Sequence, residues 1–147
     1  SGVVEVDAAE TAATLPDNEP DRAQDARLID VDALHDLEEL GSGLAFVADL
    51  VDGFAQDADD LFALLNLSLD DRDPMRFRDH AHALKGSAGS IGAGRLSEMA
   101  RHACAITDDD FGSVAPTAVG EMRVVFDATC AALKRYIRER REQVSRN

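Results

Sequence analysis

The sequence predicts an all-α fold, an antiparallel four-helix bundle with an additional short N-terminal helix. Three observations carry this. Apolar residues recur three and four positions apart over long stretches, the period of a helix with one buried face. Clusters of Gly, Pro and Asp interrupt those stretches at spacings suited to short corners. No segment shows the sustained alternation of a half-buried strand. Helices joined by short corners pack against their sequence neighbours in antiparallel fashion.

The elements follow in order. Residues 1–29 are rich in Ala, Asp, Glu, Pro and Thr and have no sustained apolar period, so they are expected to form a flexible acidic linker or arm. The bundle is expected over 30–143, with a tail at 144–147. Asp30 or Asp32 can cap a short helix carrying Leu34, Leu37 and Leu40, which Gly41 stops. Ser42 is then expected to cap a long helix with a core stripe of Val47, Val51, Phe54, Ala58, Leu61 and Leu65, closed by Leu69. Asp70-Asp71-Arg72-Asp73 reads as a turn. Asp73 followed by Pro74 is a cap and first-turn pair that launches the next helix. Gly92-Ala93-Gly94 breaks it, and the following helix turns Leu96, Met99, Ala103 and Ile106 inward. Asp108-Asp109-Asp110-Phe111-Gly112-Ser113 reads as a solvated loop. The last helix is expected from Pro116 or Thr117, with Val119, Met122, Phe126, Cys130, Leu133 and Ile137 on one side. Its basic end, Lys134 to Arg146, complements the helix dipole.

Composition excludes several function classes. A length of 147 residues with 45% apolar content suits one domain with a real core. A formal charge of -14 repels nucleic acid and anionic membrane surfaces. No apolar run approaches the roughly 20 residues of a membrane span, and the start lacks a signal-peptide layout. Cys104 and Cys130 sit inside helical patterns without metal-type spacing, as small core side chains in a reducing compartment would. A cytoplasmic location is the expectation. Against this acidic background the local basic group Arg76, Arg78, Lys85 and Arg95 stands out.

That group surrounds the most informative stretch, His82-Ala83-Leu84-Lys85-Gly86-Ser87-Ala88-Gly89-Ser90-Ile91-Gly92-Ala93. At about 100° per residue, Phe77, Ala81, Leu84, Ala88 and Ile91 share a narrow arc that must face a core. His82 points about 140° from Phe77, onto the wet side, with Arg78, Lys85, Gly86 and Gly89 around it. Glycines one and two turns on remove side chains that would crowd the imidazole, at a helix cost of about 1 kcal/mol each against alanine. An accessible histidine among cations and bare backbone suits a bulky anionic group.

The run H-x-L-K-G-S followed by Ile91-Gly92-Ala93 resembles the signature of histidine-containing phosphotransfer (HPt) domains, and helices of this length extend the likeness over roughly residues 31–140. The resemblance implies a phosphorelay intermediate: His82 accepts a phosphoryl group from the phospho-aspartate of a receiver domain and passes it to another receiver. It implies that Lys85 and Arg78 support the phosphate charge and that Gly86 and Gly89 admit the receiver, with Ser87 in a packing or backbone-bonding role beside them. Receivers would be the partners and would bring the Mg²⁺; this chain needs no cofactor of its own and no metal. With no Gly-rich phosphate loop or nucleotide motif, it should lack kinase activity. The acidic leading segment favours the C-terminal module of a hybrid sensor histidine kinase over a free-standing carrier, so the domain could be the cytoplasmic part of a membrane sensor.

Duller readings stand beside this one. Residues two apart on a helix do not share a face, so His80 and His82 are poor joint metal ligands. His80 lies about 60° from the core stripe, where a half-buried, hydrogen-bonded imidazole is the usual case. His35 and His102 sit among ordinary helical neighbours. Asp79 either orients the His82 ring or pairs with a basic neighbour. A different class of function, a docking or regulatory module binding a partner protein without phosphate, would use apolar residues off the main stripe: Phe46, Leu50 and Phe62. A plain helical spacer and the phosphoacceptor domain of a chemotaxis-type kinase complete the alternatives; the leading linker disfavours the latter.

Overall fold

The computed structural model describes residues 18–146, which form six helices: α1 (Asn18–Leu28), α2 (Val31–Leu40), α3 (Leu44–Asp70), α4 (Pro74–Ser90), α5 (Gly94–Cys104) and α6 (Asp108–Arg146). No strand occurs among them. α3, α4, α5 and α6 make the bundle, each packed on its sequence neighbour, with α6 closing back onto α3. The pairing is antiparallel: Ser97 of α5 meets Lys85 of α4, while Cys104 meets Arg78. The core contains the predicted stripes apart from Leu61, Met99, Ile106 and Cys130, which are half-buried at its edge. Phe77, Ala81, Leu84, Ala88 and Ile91 of α4 are buried, as are Val47, Val51, Phe54, Ala58 and Leu65 of α3. Phe126 stacks on Phe54 and Phe62 at 5.8 and 5.3 Å between centroids. Phe111 meets Phe77 edge-on at 5.4 Å.

The ends of α4 explain why this helix is rigid. Asp73 caps it, its carboxylate accepting from the Arg76 N–H at 3.1 Å, and Pro74 occupies the first turn. At the other end Gly92, with φ +78°, closes a six-to-one and five-to-two pair of bonds. Ala93 N–H donates to the Ala88 carbonyl at 2.8 Å and Gly92 N–H to that of Gly89 at 3.2 Å. The same motif ends α3, where Asp73 N–H reaches the Ser68 carbonyl and Arg72 N–H that of Leu69. There the left-handed position belongs to Arg72, at φ 54°. An L-residue other than glycine is disfavoured in that conformation. Arg72→Gly should therefore stabilise the fold by about 0.5–1 kcal/mol, read as a raised urea midpoint with unchanged slope.

Several boundaries differ from the sequence expectation. The segment expected as a flexible arm over 1–29 is helical in Asn18–Leu28, and Asp25, Leu28 and Ile29 are buried; residues 1–17 lie outside the described residues. Periodicity missed α1 because a long-range ion pair anchors it. Asp25 accepts two bonds from the Arg135 guanidinium, at 2.9 and 2.8 Å, across 110 positions of sequence. The cap of α3 falls at Gly43, not Ser42, without a side-chain bond. Leu40, one of the three leucines this helix was expected to carry, is 83% exposed at the end of α2. Asp108-Asp109-Asp110 is no loop but the first turn of α6: Thr107 Oγ1 accepts from Asp110 N–H at 3.2 Å, and three carboxylates suit the positive end of the helix dipole. Pro116 lies inside α6, on its exposed side. The tail expected at 144–147 continues α6 through Arg146, and Asn147 lies outside the described residues.

The basic end of α6 clasps the N-terminal helices. Arg140 holds the Glu38 carboxylate through two bonds of 3.0 Å, and Tyr136 Oη donates to the same carboxylate at 2.5 Å. The Arg140 hydrogen bond is the main cause that keeps the Glu38 carboxyl below its ordinary 4.5, against the opposing effect of burial. The folded state therefore binds this proton less readily than the unfolded chain. The stabilisation is complete above the ordinary carboxylate range and is lost as pH falls through the lowered folded value. Acid should accordingly lower the melting temperature, and Glu38→Gln should flatten that part of the decline while reducing stability at pH 7. A Glu38→Gln curve parallel to wild type would refute the assignment.

Candidate functional site

α4 presents its outer face between two flanking helices. α5 covers one side, and α3 leaves a groove on the other. His82 is exposed on the ridge between them. Its helix is fixed by Ala81 and Leu84, both fully buried, so the imidazole is held outward by the burial of its own neighbours.

The predicted site residues separate into those that remain with His82 and those committed elsewhere. Lys85, one turn on, is half-buried, and among the described residues no carboxylate pairs with it. Its own carbonyl accepts from Ser97 Oγ at 2.9 Å, which ties α5 to the helix at that level. Gly86 opens to empty space: a Cβ there would meet nothing within 4 Å. Arg78, expected to support phosphate charge, is turned to the α5–α6 junction. Its guanidinium donates to the Ile106 carbonyl at 3.2 Å and to Asp108 Oδ1 at 2.7 Å. The carboxylates that start α6 attract it, and a sequence taken to have a loop there could not show this.

Gly89 also differs in use. A Cβ there would stand 3.4 Å from Ser97 Oγ, so this glycine faces α5 and serves the packing of α5 on α4. Ser87 is half-buried; the backbone-bonding role falls instead to Ser90, whose Oγ donates to the Gly86 carbonyl at 2.9 Å. Arg76 pairs with Asp73 at 3.4 Å, and Arg95 is exposed. Asp79 is exposed and makes no ion pair among the described residues. Lys85 is thus the cation of α4 that stands one turn from His82 with no carboxylate partner among the described residues.

Of the other histidines, His80 meets its expectation only in burial. His80 is half-buried and lacks the hydrogen-bond partner expected of it among the described residues. His35 stacks against Tyr136 at 5.7 Å, and His102 lies 3.8 Å from the exposed Glu98. Cys104 sits between α4 and α5, its thiol pushed up by burial against the opposing charge of Lys85, so it is a poor nucleophile at neutral pH. Burial likewise raises Cys130. Among the described residues no three His, Cys, Asp or Glu side chains converge on a common point, and no helix is long and apolar enough to cross a membrane.

The surface suggested for phosphate-independent docking does not survive as drawn. Phe62 is core, 2% exposed, and Phe46 lies half-buried over Gly41. Leu50 alone of the three lines an open feature, the α3–α4 groove of about 310 Å³ that it shares with Asp49, Gly53, Asp57, Ser87 and Ser90. Sequence reasoning missed Ser97 and Asp108, the residues that organise Lys85 and Arg78. Both act across helix pairs, where the only sequence signal is a polar residue at the edge of a core stripe.

Residues 49–135 match the family model for the Hpt domain, a span that contains α4 and the whole motif. The fold is similar to that of histidine-containing phosphotransfer protein B (HptB) from Pseudomonas aeruginosa PAO1. The TM-score is 0.68 at 22% identity, covering 76% of this chain and 95% of that one. No curated protein matches the sequence significantly.

Proposed function

This chain belongs to the Hpt-domain family, phosphotransfer modules of two-component signalling without kinase activity of their own, and from that premise we propose that His82 is its phosphoryl-accepting residue. The observation that carries the assignment is the isolation of His82 on the open ridge of α4, with Lys85, which no carboxylate among the described residues pairs, one turn away and bare Gly86 beside it. The neutral form of an imidazole carries a nucleophilic nitrogen lone pair. Its outward Nε2 lone pair attacks the phosphorus of a receiver's aspartyl phosphate. The P–N bond forms as the P–O bond to the aspartate breaks, the carboxylate leaves with the bonding pair, and Nδ1 keeps its proton. The reverse step hands the group to a second receiver. Phosphoryl transfer is chiefly positioning and charge neutralisation. Lys85 supplies the charge from this side, and the receiver brings the divalent cation.

The partners in this reading are receiver domains. The bare backbone at Gly86 leaves room for one to seat its phosphorylated carboxylate against the imidazole. The test is direct transfer: a phosphorylated receiver is mixed with the chain in Mg²⁺, and intact mass follows the phosphoryl group. Acid-labile phosphate appearing on this chain, with loss from the receiver, supports the reading. Failure with several receivers that nevertheless bind would turn it toward docking without transfer.

A further inference from the structure

The N-terminal helices lie outside the family match of residues 49–135, and so do Tyr136 and Arg140 of the clasp that holds them. They nonetheless rest on the end of the motif. Asp30 N–H donates to the Gly92 carbonyl at 2.8 Å, and a Cβ on Gly92 would stand 3.3 Å from the Asp30 carbonyl oxygen. The α1–α2 corner is therefore pressed against the α4–α5 corner, and α1 packs on α5 and α6 together.

A continuous mechanical route leads from there to the site. Gly92 and Ala93 set where α5 begins, at Gly94. One turn into α5, Ser97 Oγ bonds the Lys85 carbonyl at 2.9 Å and faces Gly89. Lys85 is half-buried, and its charge lies near enough to Cys104 of α5 to oppose the rise that burial causes in that thiol. The corner is itself held by charged clamps with little exposed area: Asp25 to Arg135, and Glu38 to Arg140 and Tyr136, both carboxylate side chains being 12% exposed. Arg22 adds a looser pair with Glu139 at 3.7 Å.

We propose that α1–α2 is a positioning element for phosphoryl transfer, fixing the α4–α5 corner so that α5 holds Lys85 beside His82. This rests on the reading of His82 as the phosphoryl acceptor. Asp25, Glu38, Arg135 and Arg140 are positioning residues: they touch neither the phosphoryl group nor the imidazole, and they act through Asp30 and Gly92.

The experiment combines exchange and kinetics on the full chain carrying Asp25→Asn with Glu38→Gln. Amide exchange at Asp30, Gly92, Ala93 and Ser97 should accelerate by about tenfold or more, while amides of α3 from Val51 to Ala58 remain as protected as in wild type. Transfer from a phosphorylated receiver should slow by about tenfold in the presence of Lys85, and by less than about twofold in a Lys85→Gln background, because coupled residues are not additive. Arg140→Gln, a milder release, serves if the double variant loses protection throughout α3. Faster exchange confined to α1 and α2, with the corner unchanged, overturns the proposal. An equal loss of transfer with and without Lys85 does so too. Absence of transfer in the wild-type chain removes the reading of His82 beneath it, and the exchange arm separates that failure from failure of the coupling.

Discussion

His82→Gln should abolish phosphoryl acceptance, by at least about a thousandfold in rate, whereas His80→Gln should transfer within about twofold of wild type. The contrast comes from helix geometry. The two imidazoles sit two residues apart and leave α4 on different faces. His82 stands on the open ridge, and His80 is half-buried toward the neighbouring elements. Glutamine approximates the size of histidine and is the better helix former, so both variants should melt within about 0.5 kcal/mol of wild type. A lost signal then reports chemistry. Glutamine has no lone pair on nitrogen able to displace an aspartate from phosphorus, and burial keeps the neighbouring Cys104 protonated as the thiol. The readout is acid-labile phosphate by intact mass after mixing with a phosphorylated receiver. A silent His80 variant beside an active His82 variant would invert the face assignment and with it the reading of the site.

The bundle was legible because burial imposes a period. Every residue placed on the α4 core stripe is buried, and the caps at Asp30 and Asp73 form as their residue types require. The position of His82 followed from the same period, since a face that is not core is open. What stayed hidden depended on partners distant in sequence. α1 has little apolar periodicity and is recruited by Arg135, which the sequence displays only as one of many basic residues near the chain end. Arg78 resembled a phosphate ligand until α6 was seen to begin at Asp108 and claim its guanidinium. The two glycines following Lys85 looked equivalent on a helical wheel. Only the placement of α5 shows that one faces the solvent and the other Ser97. Period reports which side of a helix is buried, and it does not report which neighbour meets a polar side chain at the boundary.

Gly92→Ala should cost about 2 kcal/mol and lower the melting temperature by about 4–8 °C, the second largest effect expected of a single change here. Two independent strains add. The left-handed conformation at φ +78° disfavours alanine by about 1–2 kcal/mol. The new methyl would also meet the Asp30 carbonyl oxygen at 3.3 Å, a backbone atom that can yield only by shifting the α1–α2 corner. Relief by unwinding the end of α4 would break the Ala93 and Gly92 bonds that close the helix, so neither route is cheap. Gly86→Ala is the internal control from the same motif. Its Cβ meets nothing within 4 Å and its backbone is helical, so alanine should stabilise the fold by up to about 1 kcal/mol. If Gly86 is bare to admit a receiver, that same variant should transfer more slowly while melting higher. A Gly86 variant both more stable and fully active would show that the open backbone beside His82 is not needed for docking. A Gly92 variant as stable as wild type would show that the α4–α5 corner does not depend on its contact with Asp30.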